Sequence, residues 1–329
     1  MDVAVVIVNF RTPEATIDAV TTVVPQLEEL AGGQVIVVDN DSGDGSFARL
    51  EAVLGEPRWH GRVTVLASGH NGGFGFGNNV GIRHVLAGPD QPRFFYLLNP
   101  DATIEPGALR RLLDFAGGHP DAGLIGNIVH DAHGAIQVGA FRFPSILSEL
   151  EVMARVGLVT RALREHVVSI LPEAPTEVDW VGGPSMLIRA EALSKVGLFD
   201  EKYFLYFEEI DFARRVWDAG WKVYFVPEAG VRHIGSLSTG LADEQRPMPA
   251  YWFESRRRYF VKHHGRLYGA LCDLAWLSGF ALFKAKTALL RRAETEMARP
   301  GFARSFFRYS LANFARPAPE APQNARLPA

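Results

Sequence analysis

Cysteine is almost absent from this sequence, which holds one, Cys272, among 329 residues. A single thiol excludes an internal disulfide and a metal site built from cysteines alone. It is typical of a reducing compartment, so we expect a cytoplasmic protein. An excess of one charge is absent too, because 34 basic residues stand against 37 acidic ones, for a formal net charge of -3. The sequence therefore has no overall positive charge of the kind that attracts nucleic acid, and we do not expect nucleic acid as a partner.

Long apolar runs are also scarce. The N-terminal run, Val3 to Val8, has no basic segment before it, so we predict a first strand and not a signal peptide. The longest apolar stretch, Leu267 to Phe283, includes Asp273 and is slightly short for crossing a bilayer. Residues 9–13, directly after the first strand, contain no glycine, which counts against the G-x-G-x-x-G turn of a dinucleotide site.

What the sequence does contain is an alternation of apolar strands and helices. Hydrophobic residues make up 47% of it and charged residues 22%, which is typical of a globular protein with a large core. A strand at 3–8, a helix from Pro13 and a strand at 34–38 predict a right-handed βαβ unit. We therefore predict an α/β fold with a Rossmann-like, mostly parallel central sheet flanked by helices. In such a sheet Asn9 and Asp39 end neighbouring strands.

The most informative strand is Phe94 to Leu98, an apolar run without a polar break. This pattern is typical of a strand buried on both faces of a parallel sheet. Pro100 is expected to end it, because proline lacks the backbone donor that a ladder needs. Asp101 follows, at the carboxyl edge where such sheets bind ligands. It is a candidate ligand-binding carboxylate, and the alternative is an ordinary turn residue.

A glycine-rich segment follows the third predicted strand, with five glycines in residues 69–77. Glycine lets the backbone approach a ligand closely. Asn78 and Asn79 are predicted to begin a helix at 80–86, whose N-terminus would suit an anion. The alternative is a loop that is merely flexible.

Three acids, Glu208, Glu209 and Asp211, stand at the predicted start of a helix, behind the aromatic run 203–207. Interaction with the helix dipole explains acids at such a place, at roughly 0.3–1 kcal/mol per charge. The other interpretation is functional, because a carboxylate beside a buried aromatic segment is desolvated and its pKa rises.

Seven motifs occur in order along the chain. They are V-V-I-V-N-F at 5–10, V-V-D-N-D-S-G-D-G-S at 37–46, N-G-G-F-G-F-G-N-N-V-G-I at 71–82, L-L-N-P-D-A at 97–102, W-V-G-G-P-S-M-L-I-R at 180–189, G-L-F-D-E-K-Y-F-L-Y-F-E-E-I-D-F at 197–212 and R-H-I-G-S-L-S-T-G at 232–240. Together they resemble the family 2 inverting glycosyltransferases of the GT-A fold, and in particular the bacterial rhamnosyltransferase-like subgroup. The resemblance covers about residues 3–262.

The resemblance implies a nucleotide-sugar site at the strand ends. Asn9 and Asp39 match positions that contact the base and ribose, and Asn71 with Gly72 matches a segment that lines the nucleotide. We therefore expect a nucleotide-sugar, dTDP- or UDP-linked, as the donor.

A divalent cation, Mg²⁺ or Mn²⁺, is implied in the same way. Asp101 matches the second acid of the family's D-x-D motif, which binds the metal on the diphosphate. His233 matches a position that can complete the coordination of the metal in relatives, and the alternative is a structural histidine. Asn99 replaces the first acid of the motif, and an amide is a poorer ligand than a carboxylate, so metal affinity is expected to be reduced.

Catalytic groups are implied as well. Glu209 occupies the place of the general base, which more often holds Asp, so Glu208 stays an alternative. Asp211 either belongs to the catalytic group or fixes the loop. The acceptor-side loop is matched by Trp180, Gly182 and Gly183.

These roles imply a metal-assisted, inverting transfer of a sugar, with rhamnose from dTDP-rhamnose favoured. The acceptor is a hydroxyl of a glycan or of a lipid-linked sugar in cell-surface polysaccharide synthesis. Two other classes stay open. A nucleotidyltransferase that forms nucleotide sugars usually carries a basic glycine-rich signature after the first strand, and residues 9–13 lack it. The other is a non-catalytic sugar-nucleotide-binding protein with a decayed transferase fold, and intact Asp39, Asp101 and Glu209 argue against it.

The composition changes after residue 250. We predict a glycosyltransferase domain at 1–250, a helical extension at 251–315 and a disordered tail, rich in Pro and Ala, at 316–329. Within the extension, the helical segment 267–292 is apolar first and basic at its end. It either lies in the anionic interface at the inner face of the cell membrane, or packs on the catalytic domain or on a second subunit of a homodimer.

Overall fold

The computed structural model describes residues 1–30, 32–59, 61–235, 247–290 and 301–314, so the predicted tail at 316–329 lies outside the described residues. The centre of the fold is one large twisted sheet. In chain order the strands are β1 Val3–Asn9, β2 Gly33–Asp39, β3 Val63–Ala67, β4 Phe94–Leu98, β5 Ala102–Ile104, β6 Ala122–His130, β7 Ile136–Gln137, β8 Ala140–Phe141, β9 Ser169–Ile170, β10 Thr176–Val178, β11 Trp180–Val181, β12 Ser185–Arg189 and β13 Lys222–His233.

The main path of the sheet runs β10-β13-β6-β12-β4-β1-β2-β3, with β5 paired to β13 and β7 to β6. β4, β1, β2 and β3 are parallel to one another, and β12 is antiparallel to both of its neighbours, β4 and β6. The predicted neighbourhood of two strand ends is confirmed, because Asn9 pairs directly with Asp39. A small second sheet has the order β11-β8-β9.

Helices cover both faces of the main sheet. They are α1 Pro13–Glu28, α2 Ser46–Leu54, α3 Gly73–Leu86, α4 Ala108–Gly118, α5 Ile146–Ala154, α6 Gly157–Ala162, α7 Ala190–Val196, α8 Glu208–Asp218, α9 Ala250–Leu289 and α10 Phe302–Asn313. Side chains alternate across a strand, so Phe94, Tyr96 and Leu98 of β4 enter the core cluster that contains α1 and α4. Phe95 and Leu97 enter the opposite cluster, with α8 and α9. Burial on both faces explains the unbroken apolar run.

The long helix α9 belongs to the core of the molecule. Tyr259, Phe260 and Cys272 lie in the same buried cluster as the strands. A left-handed residue, Gly265 with φ 85° and ψ 169°, divides α9 into two halves. The second half packs on α5 so closely that a Cβ at Gly279 would lie 2.6 Å from the carbonyl oxygen of Leu150.

Helix α9 carries Cys272 and most of the predicted segment 267–292. Cys272 is fully buried, and burial raises the pKa of its thiol to about 12. Within the described residues, no helix combines the length and the apolar character needed to cross a membrane. The described part of the predicted segment 267–292 packs on α5 of the same chain, while Arg291 and Arg292 lie outside the described residues.

Candidate active site

A cavity of about 720 Å³ opens at the carboxyl edge of the sheet. Residues that follow β1, β2 and β4 form one wall, and the segment before α8 together with the end of β13 forms the other. The lining residues are Val8, Phe10, Asn40, Asn71, Gly73, Phe74, Asn99, Pro100, Asp101, Gln137, Pro184, Phe204, Leu205, Tyr206, Glu208, Glu209, His233, Ile234, Gly235 and Tyr251. The arrangement brings most of the predicted polar residues to one place.

Asn9 and Asp39 form a buried network under this cavity. The Asn9 amide donates to Asp39 Oδ1 at 2.7 Å, and the Ser42 hydroxyl donates to the same oxygen at 2.6 Å. Asn9 Oδ1 in turn accepts from the Thr16 hydroxyl at 2.9 Å. The network holds the loops after β1 and β2 in register, and its two principal residues are themselves below the surface of the cavity.

Asn40, which the sequence interpretation did not assign, is the residue of this loop that lines the cavity. Its amide donates to Asn71 Oδ1 at 3.0 Å and to the Gly73 carbonyl at 3.1 Å. Its Oδ1 is buried and has no hydrogen-bond partner within the described residues. A buried acceptor without a partner is costly, and Asn40 belongs to the lining of a cavity that a ligand could fill. The signal in the sequence was its place directly after Asp39.

Asp101 and His233 meet at the bottom of the cavity. The short strand β5 pairs with the end of β13, which sets His233 opposite Ala102. His233 Nε2 lies 3.1 Å from Asp101 Oδ1 and 3.3 Å from the Asn99 amide nitrogen. His233 Nδ1 is buried without a partner in the described part of the chain. These three side chains were predicted to act together, and the fold brings them within contact distance.

The glycine-rich segment has a different local structure from the one predicted. Helix α3 begins at Gly73 and not at Val80, so Asn78 and Asn79 lie inside it. Its glycines serve close packing of the helix: a Cβ at Gly77 would lie 2.5 Å from Val8 and one at Gly81 2.6 Å from Val6. The predicted helix start was wrong because local propensity disfavours glycine in a helix, whereas contact with β1 rewards it. Of the segment 69–77, Asn71, Gly73 and Phe74 line the cavity.

Asn79 was missed as a structural residue of the site. Its side chain accepts from the Phe199 backbone N–H at 3.0 Å and donates to the Phe199 carbonyl at 2.9 Å. Together with the Phe74 N–H, which donates to the Phe204 carbonyl at 3.1 Å, it attaches α3 to the segment before α8. The two motifs therefore form one unit.

Gly73 gives a direct test of this attachment. With φ at +88°, a Cβ there would lie 1.7 Å from the Phe204 carbonyl oxygen. We expect Gly73→Ala to lower the free energy of unfolding by about 2–4 kcal/mol, from backbone strain and overpacking together. Gly134→Ala is the matched control, because Gly134 has φ +83° and no atom within 4 Å of its Cβ position. It should cost about 1 kcal/mol. Urea unfolding measures both, and equal losses would show that the contact with Phe204 has no effect.

Glu208 and Glu209 begin α8 and both line the cavity. The two residues before them, Tyr206 and Phe207, have φ values of 68° and 67°. Such values are strained for aromatic residues and are characteristic of functional sites. One oxygen of each carboxyl group is buried without a hydrogen-bond partner in the described residues.

The pKa values of this pair are raised. Burial is the main cause for both, and the charge of Glu209 adds to it for Glu208, whose pKa lies well above its ordinary value. Burial raises the pKa of Glu209 to about 7, although backbone N–H groups at the helix start oppose this shift. Two adjacent carboxyl groups disfavour double ionisation. The more exposed of them, Glu209, is therefore the one that ionises near neutral pH.

Asp211 lies apart from the cavity. Its carboxylate is fully buried and contacts Arg215, Lys262 and His263 at 3.0, 2.6 and 2.8 Å. Hydrogen bonding with His263 and the positive charges nearby overcome the effect of burial and hold the pKa of Asp211 well below its usual range. Of the two roles considered for Asp211, these contacts favour fixing the loop.

The predicted acceptor-side loop lies at the rim. Trp180 is buried, stacks on Phe141 with ring centroids 4.1 Å apart, and donates to the Arg142 carbonyl at 2.9 Å. Pro184 is the residue of this loop that lines the cavity. A Cβ at Gly183 would lie 4.0 Å from Phe74, and a Cβ at Gly182 3.4 Å from Pro184.

Aromatic side chains that sequence reasoning missed complete the cavity. Tyr251, on α9, lies with its ring centroid 5.2 Å from that of Phe204 and 6.3 Å from that of Tyr206. The aromatic run before α8 was visible in the sequence, but nothing local to Tyr251 indicated that it joins this wall.

Comparison with known proteins agrees with this geometry. A family model described as glycosyltransferase-like family 2 matches residues 1–259. The match covers most of the chain, and the chain therefore belongs to this family of glycosyltransferases.

Two relatives are rhamnosyltransferases. The chain is 33% identical over 218 residues to the N-acetylglucosaminyl-diphospho-decaprenol L-rhamnosyltransferase of Mycobacterium tuberculosis, covering 63% of this chain and 68% of the relative. It is 28% identical over 158 residues to rhamnosyltransferase WbbL of Escherichia coli K12, covering 47% of this chain and 58% of that one. Similarity to rhamnosyltransferases, predicted from the motifs, is confirmed.

Solved structures share the fold. The mannosyltransferase PcManGT of Pyrobaculum calidifontis, in complex with GDP-Man and Mn²⁺, superposes with a TM-score of 0.56 at 14% identity, covering 95% of this chain and 86% of the other. Residues 1–349 of S. aureus TarS superpose with a TM-score of 0.53 at 13% identity, covering 97% and 81%. The fold is the predicted GT-A fold.

Proposed function

We propose that this chain transfers rhamnose from dTDP-rhamnose, with inversion, to a hydroxyl of a lipid-linked or glycan acceptor. The observation that carries the proposal is a single cavity lined by two unlike groups. Asp101 and His233 supply metal-type ligands to it, and Glu209 supplies a carboxyl group with a pKa of about 7. The sugar and the lipid are suggested by the name of the mycobacterial relative.

A divalent cation fits the donor set. Asp101 and His233 provide one carboxylate oxygen and one ring nitrogen, and the described residues contain no cluster of three or more His, Cys, Asp or Glu side chains placed to hold a metal. Two protein ligands suit Mg²⁺ or Mn²⁺ that also binds substrate phosphates and water. When bound, the cation neutralises charge on the diphosphate leaving group. Asp101 and His233 would hold it, with Asn99 beside them.

Glu209 acts as the general base in this proposal. It accepts the proton of the acceptor hydroxyl while that oxygen forms a bond to the anomeric carbon. The bond from this carbon to the diphosphate oxygen breaks, and dTDP leaves with the electron pair. A base works best when its pKa lies near the operating pH. One displacement inverts the anomeric centre.

The remaining lining residues suit binding. Asn40, Asn71 and Gly73 surround the nucleotide end and supply polar groups, above the layer formed by Asn9 and Asp39. On the acceptor side, we propose that the loop 180–184 and the aromatic wall of Phe204, Tyr206 and Tyr251 hold the acceptor sugar beside Glu209.

The test is a transfer assay with the purified chain. We expect dTDP release from dTDP-rhamnose to depend on Mg²⁺ or Mn²⁺, to stop with EDTA and to increase with a polyprenyl-diphosphate-sugar acceptor. UDP-sugars serve as the comparison donors. Release of pyrophosphate from dTTP and a sugar phosphate would instead indicate a nucleotidyltransferase. Donor binding with no turnover under any condition would indicate a binding protein.

We further propose that an anionic membrane docks on the C-terminal helices. The exposed apolar side chains on α9, on α10 and directly after these helices are Leu267, Leu271, Leu274, Leu282, Leu289, Leu290, Phe307, Leu311 and Phe314. The described residues 266–290 and 301–314 carry five basic side chains and one acid, Asp273. Each basic residue near anionic lipid contributes about 1 kcal/mol. A two-fold pairing of this face with a second copy would bring like charges together, so a bilayer suits it better.

Liposome sedimentation tests this face. We expect the chain to sediment with vesicles rich in phosphatidylglycerol at low salt, and the variant Leu267→Ser/Leu274→Ser/Leu289→Ser to remain in the supernatant. Ile136→Ser, an exposed apolar residue on β7, is the matched control and should sediment like the wild type. Sedimentation of the triple variant equal to that of the wild type would contradict the proposal.

A further inference from the structure

The first half of α9, residues 250–264, runs along residues 200–211, the segment that carries the candidate base Glu209. At the start of the segment, Asp200 accepts hydrogen bonds from Arg258 Nη2 at 2.6 Å and from Lys262 Nζ at 3.0 Å. In its middle, the Ser255 hydroxyl donates to the Leu205 carbonyl at 3.0 Å. Because residues of α9 contact this segment at successive points, the segment has little freedom to move.

The end of the segment is held in the same way. Asp211, in the first turn of α8, contacts Lys262 Nζ at 2.6 Å and His263 Nε2 at 2.8 Å. Lys262 therefore joins Asp200 to Asp211 and closes the segment between them. Both carboxylates are buried, where a charge is stable only if it is paired.

Between the two ends lie the strained residues and the two glutamates. Tyr206 and Phe207 hold φ values of 68° and 67° directly before Glu208 and Glu209. Strain of this kind persists only when the surrounding contacts over-determine it. Helix α9 contributes to these contacts, because the ring of Phe207 packs against those of Tyr259 and Trp252 on α9, with centroids 5.9 and 6.0 Å away.

The geometry points to Lys262 as a positioning residue for catalysis: its ammonium joins Asp200 to Asp211 and thereby fixes the turn that presents Glu209 to the cavity. This inference rests on the proposed function of Glu209 and extends it to a helix that the sequence placed outside the catalytic domain. Lys262 does not line the cavity. It acts through the segment and not on the substrate.

Removal of Lys262 leaves each carboxylate with other partners. Asp200 keeps Arg258, and Asp211 keeps Arg215 and His263. Lys262→Met retains the length of the side chain and removes the charge, so we expect a folded protein whose segment keeps its contacts with Arg258 and His263 but loses the link between Asp200 and Asp211. Asp101, between β4 and β5, and His233, at the end of β13, lie outside the segment and keep their places. Turnover should therefore fall, while donor affinity stays nearly constant.

The experiment compares Lys262→Met with Arg256→Met. Arg256 lies on the same helix and is also held in ion pairs, with Asp273 of α9 at 2.5 Å and Glu149 of α5 at 2.8 Å, but neither carboxylate belongs to residues 200–211. We expect Lys262→Met to lower kcat for rhamnosyl transfer about 10- to 100-fold, with the donor Kd from calorimetry changed less than about threefold. Lys262→Arg should recover most of the loss. Arg256→Met should lower Tm yet keep kcat per folded molecule.

Hydrogen exchange gives a second readout that needs no turnover. Amides of residues 201–209 should exchange faster in Lys262→Met than in the wild type or in Arg256→Met. Equal kcat losses in the two methionine variants, or unchanged exchange in 201–209, would overturn the positioning role. A wild-type chain without transfer activity but with faster exchange in Lys262→Met would refute the proposed function and leave the role of Lys262 in holding the segment intact.

Discussion

Replacing Glu209 by Gln is expected to lower kcat by a factor on the order of 10²–10⁴, because the amide keeps the shape of the side chain and removes the base. Binding of dTDP-rhamnose should change little, since Asn40, Asp101 and His233 are untouched. Single-turnover transfer and calorimetric binding measure the two quantities separately. Glu208→Gln is the matched variant, and we expect a smaller loss from it. If Glu208→Gln shows the large loss and Glu209→Gln does not, the base is the neighbouring residue.

Because the pKa of Glu209 is raised, activity and stability should depend on pH in opposite directions. Activity needs the ionised carboxylate, so kcat/KM should rise as the pH rises through about 7. The free energy of unfolding should instead decrease as the pH rises. Between the ordinary pKa of 4.5 and the folded value of about 7, the folded chain keeps a proton that the unfolded chain has released, so the free energy of unfolding falls as the pH rises through this window. The slope of Tm against pH should be smaller in Glu209→Gln.

Asp101→Ala is expected to abolish transfer and to remove the metal dependence of donor binding. The carboxylate is buried at the bottom of the cavity, 3.1 Å from His233 Nε2, and few other side chains there can bind a cation. Isothermal calorimetry of dTDP with and without Mn²⁺ gives the metal-dependent part of binding. Full turnover in Asp101→Ala would refute the assignment.

Asn99→Asp tests the same site in the other direction. It restores the first acid of the D-x-D motif beside His233, whose Nε2 lies 3.3 Å from the Asn99 amide. Since cation affinity increases with the number of charged oxygen ligands, Asn99→Asp should bind Mn²⁺ about tenfold more tightly. Affinity that stays the same would show that residue 99 does not reach the metal.

The sequence predicted the strands and the residues at their ends, because these depend on local patterns. The apolar run 94–98 and the proline after it predicted β4 and the position of Asp101 correctly. Contacts between distant parts of the chain were beyond such patterns. The first turns of α3 contain glycines because β1 and Phe204 leave no room for a Cβ there. Helix propensities, which are local, do not include such contacts. Likewise, only the packing of α9 brings Tyr251 to the cavity and Lys262 to Asp200 and Asp211.

The buried thiol of Cys272 has a practical consequence for single-molecule and fluorescence work. A thiol that is fully buried and has a pKa of about 12 reacts poorly with maleimides, because the thiolate is the reactive species. The natural chain therefore supplies a silent background for site-specific labelling. A cysteine introduced at exposed Leu267 would be the one reactive thiol, and a dye there would report contact of the C-terminal helices with lipid in real time.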